Sequence, residues 1–470
     1  MREFLFFCNN WISRAGIFLL TAAGISWLFS LPRMLGGGSQ DPYIGLLFFF
    51  AIPAVFFAGL VLVPVGMLLH RRRRIRSGTI PASFPRIAWQ DPQFRSLILF
   101  TALATLVNIV ITGQTTIGAV HYMEGSQFCG QTCHTPMQPE FTAWQHGSHS
   151  HVDCVKCHIA PGAKGYVHAK WRGAGQLVDL IFNTYPRPIP TPVEDLPSAR
   201  QVCDGCHSAT AKVGDVLRVV PKYADDEQNS LTKDVLLVHV GSGATGKGIH
   251  GAHLSAGVSI RYFYSDMKRE EIRRVEYTKN GSTTAFASGK DDPSKLHSRQ
   301  MDCMDCHNRP GHNFELPDQA VDRSMASGEI SPALPFAKKQ SVALLKTSFA
   351  SREVAERELP TRMENYYRQT YADVYRQHSD DVRRAGQALW NIYSANIFPD
   401  MNVNWGVHPN QLGHNDWTGC NRCHNEKLLG PAGVQITQDC GACHNLLAMD
   451  EASPKILDDL GLAPAAAKTR

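Results

Sequence analysis

The first quarter of this 470-residue chain is short of charge: no Asp, Glu, Lys or Arg occurs from Ala15 to Pro32, from Pro42 to Leu69, or from Ser96 to Val120. A bilayer crossing takes about 20 predominantly apolar residues, so each run is read as a transmembrane helix. Pro53 and Pro64 fall in the second run, where neighbouring helices re-satisfy the freed backbone groups. A cleaved signal peptide accounts less well for the pattern, because two further long runs follow the first. Cysteine is missing here too, apart from Cys8, a buried or free thiol with no assigned chemistry. Twelve of the thirteen cysteines lie beyond residue 128, which confines the redox question to the second part of the chain. At roughly 150 residues per domain there is room for about three units, too many for a disulfide-stapled miniprotein. A formal charge of +5 carries no argument for nucleic acid.

Acids are scarce between the second and third runs. Residues 70–95 hold Arg71, Arg72, Arg73, Arg74, Arg76, Arg86 and Arg95 against the single acid Asp91, the signature of a cytoplasmic loop. Apolar spans on both sides favour that over a nucleic-acid patch. The amino terminus, with Arg2 and Arg14, is then cytoplasmic, and everything after about residue 120 is delivered to the opposite face.

The twelve distal cysteines pair, and each pair ends in histidine: Cys129, Cys133 and His134; Cys154, Cys157 and His158; Cys203, Cys206 and His207; Cys303, Cys306 and His307; Cys420, Cys423 and His424; Cys440, Cys443 and His444. Two thiols at this spacing form thioethers to the two vinyl groups of one haem, and the next side chain ligates its iron. Zinc knuckles and local disulfides do not require histidine after the second cysteine, and six such placements by chance are on the order of 10⁻⁸ by composition. The first motif, CGQTCH, has three intervening residues instead of two. Six covalent haems would bring propionates worth about −12 in charge, reversing any basic-protein reading. They would also serve as apolar core, so the chain around them can be loop-rich.

Each iron has a second axial position, and thirteen histidines lie outside the motifs beyond the spans: His121, His146, His149, His151, His168, His239, His250, His253, His297, His312, His378, His408 and His414. Nearness to motifs favours His149, His312 and His414, followed by His250 and His253. Met137, three residues past His134, falls beside the first haem; a thioether ligand there would raise the potential of an entry haem.

These residues resemble the NapC/NirT family of membrane-anchored multihaem cytochromes, which includes NrfH-type quinol dehydrogenases. The closest stretch is 121–207, where a motif with a nearby methionine precedes GSHSHVDCVKCH and AKWRGAGQLVDLIFNT. MDCMDCHNRPGHNF and NWGVHPNQLGHNDWTGCNRCH look like segments of longer members, the inner-membrane quinol dehydrogenases. By position, His149 matches a histidine that is distal ligand to another haem. Asp179 matches the aspartate beside the first haem near the quinol, and the family lysine falls on Arg172, with Lys170 close by. The departures are three spans where the family often has one, the CxxxCH motif, a methionine one residue further on, and arginine for lysine. The resemblance implies a bacterial inner-membrane protein that oxidises quinol, with menaquinol the expected substrate. Its electrons pass to a periplasmic c-type cytochrome or a terminal reductase, with membrane-complex subunits as further partners. Seven residues make nearly two helical turns, so Arg172 and Asp179 share a face if the segment is helical.

From 208 to 302 the pieces VLRVV, DVLLVHV, VSIRYFY and RRVEYTKNGSTTAFA read as strands, with Asn280-Gly281 a hairpin turn. From Thr361 to Ile397 a helical pattern, bracketed by Pro360 and Pro399, carries Tyr367, Tyr371, Val374, His378 and Val382 on one side. The Ala-rich tail after Pro454 is peripheral. The fold class expected is a membrane-anchored multihaem cytochrome c. Three transmembrane α-helices with an Arg-rich loop fill 1–120. A mostly α, loop-rich haem part follows: 121–207 with motifs one to three, a small antiparallel β insert at 208–302, and a helical 303–470 with motifs four to six. Two rivals stay open: an electron-relay subunit of a larger respiratory complex, and a terminal oxyanion reductase. The reductase would need an iron with an open substrate position, and no CxxCK motif announces one.

Overall fold

The computed structural model describes residue 7, residues 10–13, 15, 16, 19, 20, 23 and 24, then 51–78, 114, 118, 120–132, 134–193, 196–208, 211 and 213–462. It divides into two compact units, 1–132 and 133–470.

In the first unit, helix α1 runs from Ile52 to Arg76. It is the one helix among the described residues long and apolar enough to cross a membrane. Pro53 sits in its first turn and Pro64 inside it. The described residues of the first apolar run are helical and press closely on α1. A Cβ on Gly16 would lie 2.9 Å from the Gly59 carbonyl oxygen, and the Ser13 hydroxyl donates to the Val63 carbonyl at 3.1 Å. Small residues at the crossing with a side-chain-to-backbone bond are how helices associate in lipid, where no hydrophobic force drives them together. The rest of that run, and nearly all of Ser96–Val120, lie outside the described residues. One expectation is corrected. Arg71, Arg72, Arg73, Arg74 and Arg76 are not in a loop but form the last turns of α1. Arginine is a good helix former, and cations complement the negative end of the helix dipole.

In the second unit, helices α2 (His134–Gln145), α3 (Cys154–His158), α4 (Ala163–Phe182) and α5 (Ala199–Cys203) precede strands β1 (Val216–Tyr223) and β2 (Leu231–Val238). Helix α6 (Gly248–Leu254) leads into β3 (Val258–Tyr264), β4 (Ile272–Lys279), β5 (Ser282–Ala287) and β6 (His297–Gln300). Then come α7 (Pro317–Ala326), α8 (Ala337–Leu345), α9 (Arg352–Thr370), α10 (Ala372–Asn396), β7 (His444–Glu451) and α11 (Lys455–Asp459).

Helices α7 to α10 enclose the largest apolar core, in which Leu359, Met363, Tyr367, Val382 and Leu389 are fully buried. The Tyr367 hydroxyl donates to the Pro335 carbonyl, which removes the cost of burying it. Of the stripe expected here, Tyr371 and Val374 pack against this core, whereas His378 sits at a kink and faces Asp381. Pro360 does not bracket a helix; it lies within α9. Gly386 of α10 lies against it: a Cβ there would stand 2.9 Å from the Pro360 Cα, so glycine lets the two helices approach closely at that point.

Strands β5-β4-β3-β6 form one antiparallel sheet, and β1-β2-β7 a second. Asn280 and Gly281 close the β4–β5 hairpin as a two-residue turn, both at positive φ, the conformation that Asn-Gly favours. Strand β7 had no counterpart in the sequence reading. It starts at His444 and pairs with β2, with Val238 opposite His444. The strands are therefore a mount for the motifs. β6 leads directly to Cys303, the Met301 amide donates to the Ile260 carbonyl, and Ala287 exchanges both backbone bonds with Leu429, shortly after the fifth motif. At the end of β2, the His239 amide bonds the Cys443 carbonyl and the His250 amide bonds the Val240 carbonyl, tying the sixth motif and α6 to one strand.

Candidate haem centres

The second to fifth motifs are each wound into a helical turn, whereas the turn of the sixth, Cys440–Ala442, ends before His444, which opens β7. Amide-to-carbonyl bonds join His207 to Cys203 at 2.7 Å, His307 to Cys303 at 2.8 Å and His424 to Cys420 at 3.0 Å. A helical turn puts positions i, i+3 and i+4 on one face, so both thiols and the imidazole point the same way. Asp302 and Asp439 cap two of these turns through the amides of Met304 and Gly441. Nine motif cysteines, from Cys157 to Cys443, are thiols without a disulfide. No three Cys, His, Asp or Glu side chains converge as a metal-ion site among the described residues, which disfavours zinc knuckles.

Five motif histidines each face a histidine from elsewhere. The ring centroids lie 6.0 Å apart for His158 and His312, 6.0 Å for His207 and His149, and 6.4 Å for His307 and His250. They lie 6.0 Å apart for His424 and His253, and 6.1 Å for His444 and His414. Two axial imidazole nitrogens at about 2 Å from one iron put their ring centroids about 6 Å apart. The donor set and the spacing both fit a haem iron held between the two rings of each pair.

The orientation of the rings is fixed from behind. His149 Nδ1 bonds the Pro310 carbonyl at 2.9 Å, His253 that of Ile249 at 2.7 Å, His312 that of Glu140 at 2.8 Å, and His424 that of Thr437 at 2.7 Å. A carbonyl only accepts, so Nδ1 carries the proton and Nε2 keeps its lone pair for a metal. Burial holds the His158 imidazole down to about 4, with His312 and Arg172 adding to the effect, so it is neutral as a ligand must be. Burial, then the His250 ring, lowers His307 likewise.

Consecutive motifs are neighbours. Burial raises the Cys157 thiol, helped by Cys154 and Cys206. Cys203 is pushed up to about 11 by burial and then by Cys303. Cys306 is pushed up to about 12 by burial and then by Cys420, and Cys443 is raised by burial and then by Cys420. The second to sixth motifs thus follow one another in space. The pairing is crossed with respect to sequence: His149, just before the second motif, meets the third; His312, just after the fourth, meets the second; His414, just before the fifth, meets the sixth. His250 and His253, three residues apart on α6, meet the fourth and fifth.

The other expected residues are less complete. Cys129 lies in the π-helical turn Phe128–Thr132, while Cys133 and the side chain of His134 fall outside the described residues. Met137 is half-buried on α2. Arg172 and Asp179 are both on α4 and are seven residues apart, while the Lys170 side chain is not described. Asp179 is exposed and accepts the Thr184 hydroxyl at 2.9 Å. The same helix exposes Val167, Trp171, Val178, Ile181 and Phe182, a continuous apolar stripe. The carbonyls behind the histidines have no signal in the sequence, and of the crossed pairing the family resemblance implies only that His149 serves another haem.

The chain is 34% identical over 441 residues to the cytochrome c-type protein ImcH of Geobacter sulfurreducens, a match spanning 92% of this chain and 86% of that protein. The chain belongs to the ImcH family of c-type cytochromes. This family member is also 26% identical over 120 residues to the cytochrome c-type protein NrfH of Wolinella succinogenes, across 25% of this chain and 65% of that one. No family model and no solved structure matches it. As a multihaem c-type cytochrome, it carries covalent haem c and transfers electrons.

Proposed function

We propose that this cytochrome is a hexahaem, membrane-bound quinol dehydrogenase of the bacterial inner membrane, passing electrons from menaquinol to a periplasmic cytochrome or reductase. Three spans with a cytoplasmic amino terminus fix it in the bilayer. The five histidine pairs carry this reading, because a chain of centres ligated on both faces relays electrons and leaves no open position for an oxyanion at those five irons. The axial ligands are His158 with His312, His207 with His149, His307 with His250, His424 with His253, and His444 with His414; at the first motif Met137, one turn beyond His134 on α2, is offered to the iron from the same side as His134.

Haem c supplies the one-electron couple. The protein's own residues handle the protons. Quinol oxidation releases two protons with two electrons, so the donor needs a proton acceptor and a counter-charge for the oxygen that loses its proton. Asp179 is the acceptor, and Arg172, helped by Lys170, holds the developing phenolate. The Thr184 hydroxyl positions the Asp179 carboxylate. Two turns of helix separate Arg172 and Asp179 by about 10 Å along the axis, a span on the scale of a quinol ring. The apolar stripe beside them, Trp171 82% exposed and Ile181 67% exposed, suits a substrate that arrives through lipid. Purified protein mixed with a menaquinol analogue tests this: haem bands should reduce in the spectrophotometer, and an absence of reduction by any quinol removes the dehydrogenase assignment.

A further inference from the structure

The segment after the fourth motif is laced to the segment before the fifth. Asn308 donates to the Pro409 carbonyl and accepts from the Gln411 amide, and Arg309 donates to His408 Nδ1 at 2.6 Å. His408 is 4% exposed, and its Nε2 is buried without a hydrogen-bond partner. Guanidinium groups have no acceptor, so His408 Nδ1 must accept and the ring proton must sit on Nε2. This excludes His408 as an axial ligand and leaves a buried N–H donor that needs an acceptor.

The surroundings favour an anion. Burial first, then Arg309, Lys268 and His312 hold the His408 imidazole down to about 3, so it is neutral in a cationic setting. Glu140, facing Arg309 at 3.8 Å and His312 at 3.7 Å, is the acid turned to this cluster. Phe314 covers the His408 ring at 5.0 Å between centroids. Arg309, which bonds His408, and His312, the partner of His158, both face Glu140, so one cluster joins His408 to the centre those two rings would hold.

We propose that His408 Nε2–H, backed by Arg309 and Lys268, is the binding site for a propionate carboxylate of the haem held between His158 and His312. The assignment rests on the haem reading of the motifs. Haem content by pyridine haemochrome tests that reading separately.

The experiment uses full-length holoprotein with His408→Phe, His408→Gln and Lys268→Gln. Low-frequency resonance Raman follows the propionate bending band, which moves with hydrogen bonding to the carboxylate, and spectropotentiometry follows the individual midpoints. His408→Phe is expected to keep six haems, shift one propionate band and lower one midpoint, because a carboxylate without its donor favours ferric iron. His408→Gln retains a donor and should restore the band. Lys268→Gln, at an exposed position, should lower the same midpoint even if the phenylalanine variant matures poorly. Six haems with unshifted bands and midpoints in His408→Phe and Lys268→Gln overturn the assignment, leaving ordered water as the partner. So does a wild-type spectrum that responds to inorganic phosphate and loses that response in His408→Phe, which marks a free-anion site. A wild-type protein without haem overturns the underlying reading as well.

Discussion

Replacing Gly251 with alanine asks whether one short helix serves two haem centres. Gly251 is buried in α6 between His250 and His253. A Cβ at this position would stand 2.3 Å from the carbonyl carbon of Gly246 and 2.8 Å from its oxygen, both backbone atoms that cannot swing aside. Ordinary contact begins near 3.4 Å, so α6 must move by about 1 Å. Metal–ligand bonds tolerate about 0.2 Å, so a shift of that size pulls both imidazoles off their irons. Gly251→Ala should convert two of the five paired haems from low to high spin, removing about two fifths of their low-spin intensity in electron paramagnetic resonance. His250→Ala should remove about a fifth. Pyridine haemochrome checks that all six haems remain attached. Full low-spin intensity in Gly251→Ala, or loss at one centre only, would refute the shared-helix geometry.

Four further outcomes follow from named contacts. Asp179→Asn should slow quinol oxidation by about 10²-fold or more with haem content unchanged; an unaltered rate in a quinol–dye assay rules Asp179 out as base. Asp322→Ala strands Lys338, whose side chain is 4% exposed and bonds Asp322 at 2.6 Å, and should cost about 3 kcal/mol in chemical unfolding; a loss below about 1 kcal/mol would show that the Asp318 carbonyl, also at 2.6 Å, suffices. Gly281→Val forces a branched residue to φ 84° in the β4–β5 turn and should lower stability by about 1 kcal/mol or more, read as a lower melting temperature. The fourth concerns pH. Burial keeps folded His158 unprotonated below its ordinary 6.5, and iron on the ring would do so further, so below 6.5 the unfolded chain holds the extra proton and stability falls as pH falls. The slope is about 1.4 kcal/mol per pH unit, and a flat stability profile from pH 6.5 to 4 contradicts a buried neutral His158.

Local chemistry made part of this molecule legible. The Asn-Gly pair announces the β4–β5 turn because both residues must take positive φ. CxxCH announces two thioethers and a proximal histidine, and closeness to motifs in the chain picks out His149, His312 and His414, with His250 and His253 next in line without that support. Which motif each one meets was not legible. A histidine a few residues from CxxCH cannot reach round to the far face of the haem its own neighbour holds, so the opposite ring comes from another segment, as His149 and His312 show. Strand β7 was hidden for a similar reason: HNLLAMDE alternates poorly, and its pairing with β2 is decided some two hundred residues away. Pro360 reads locally as a helix end because proline lacks the N–H a helix interior uses, yet the packing of α9 in the apolar core outweighs that cost. The Arg cluster was read as a loop because charge marks the end of a span without marking the end of its helix.

The most direct measurement of the central claim is intact-protein mass spectrometry of the full-length chain, joined to pyridine haemochrome quantitation. The polypeptide mass plus six covalently attached haems is the expected result, one for each cysteine pair, including Cys129 and Cys133. A mass matching the bare polypeptide, or fewer than six additions in fully matured protein, contradicts it.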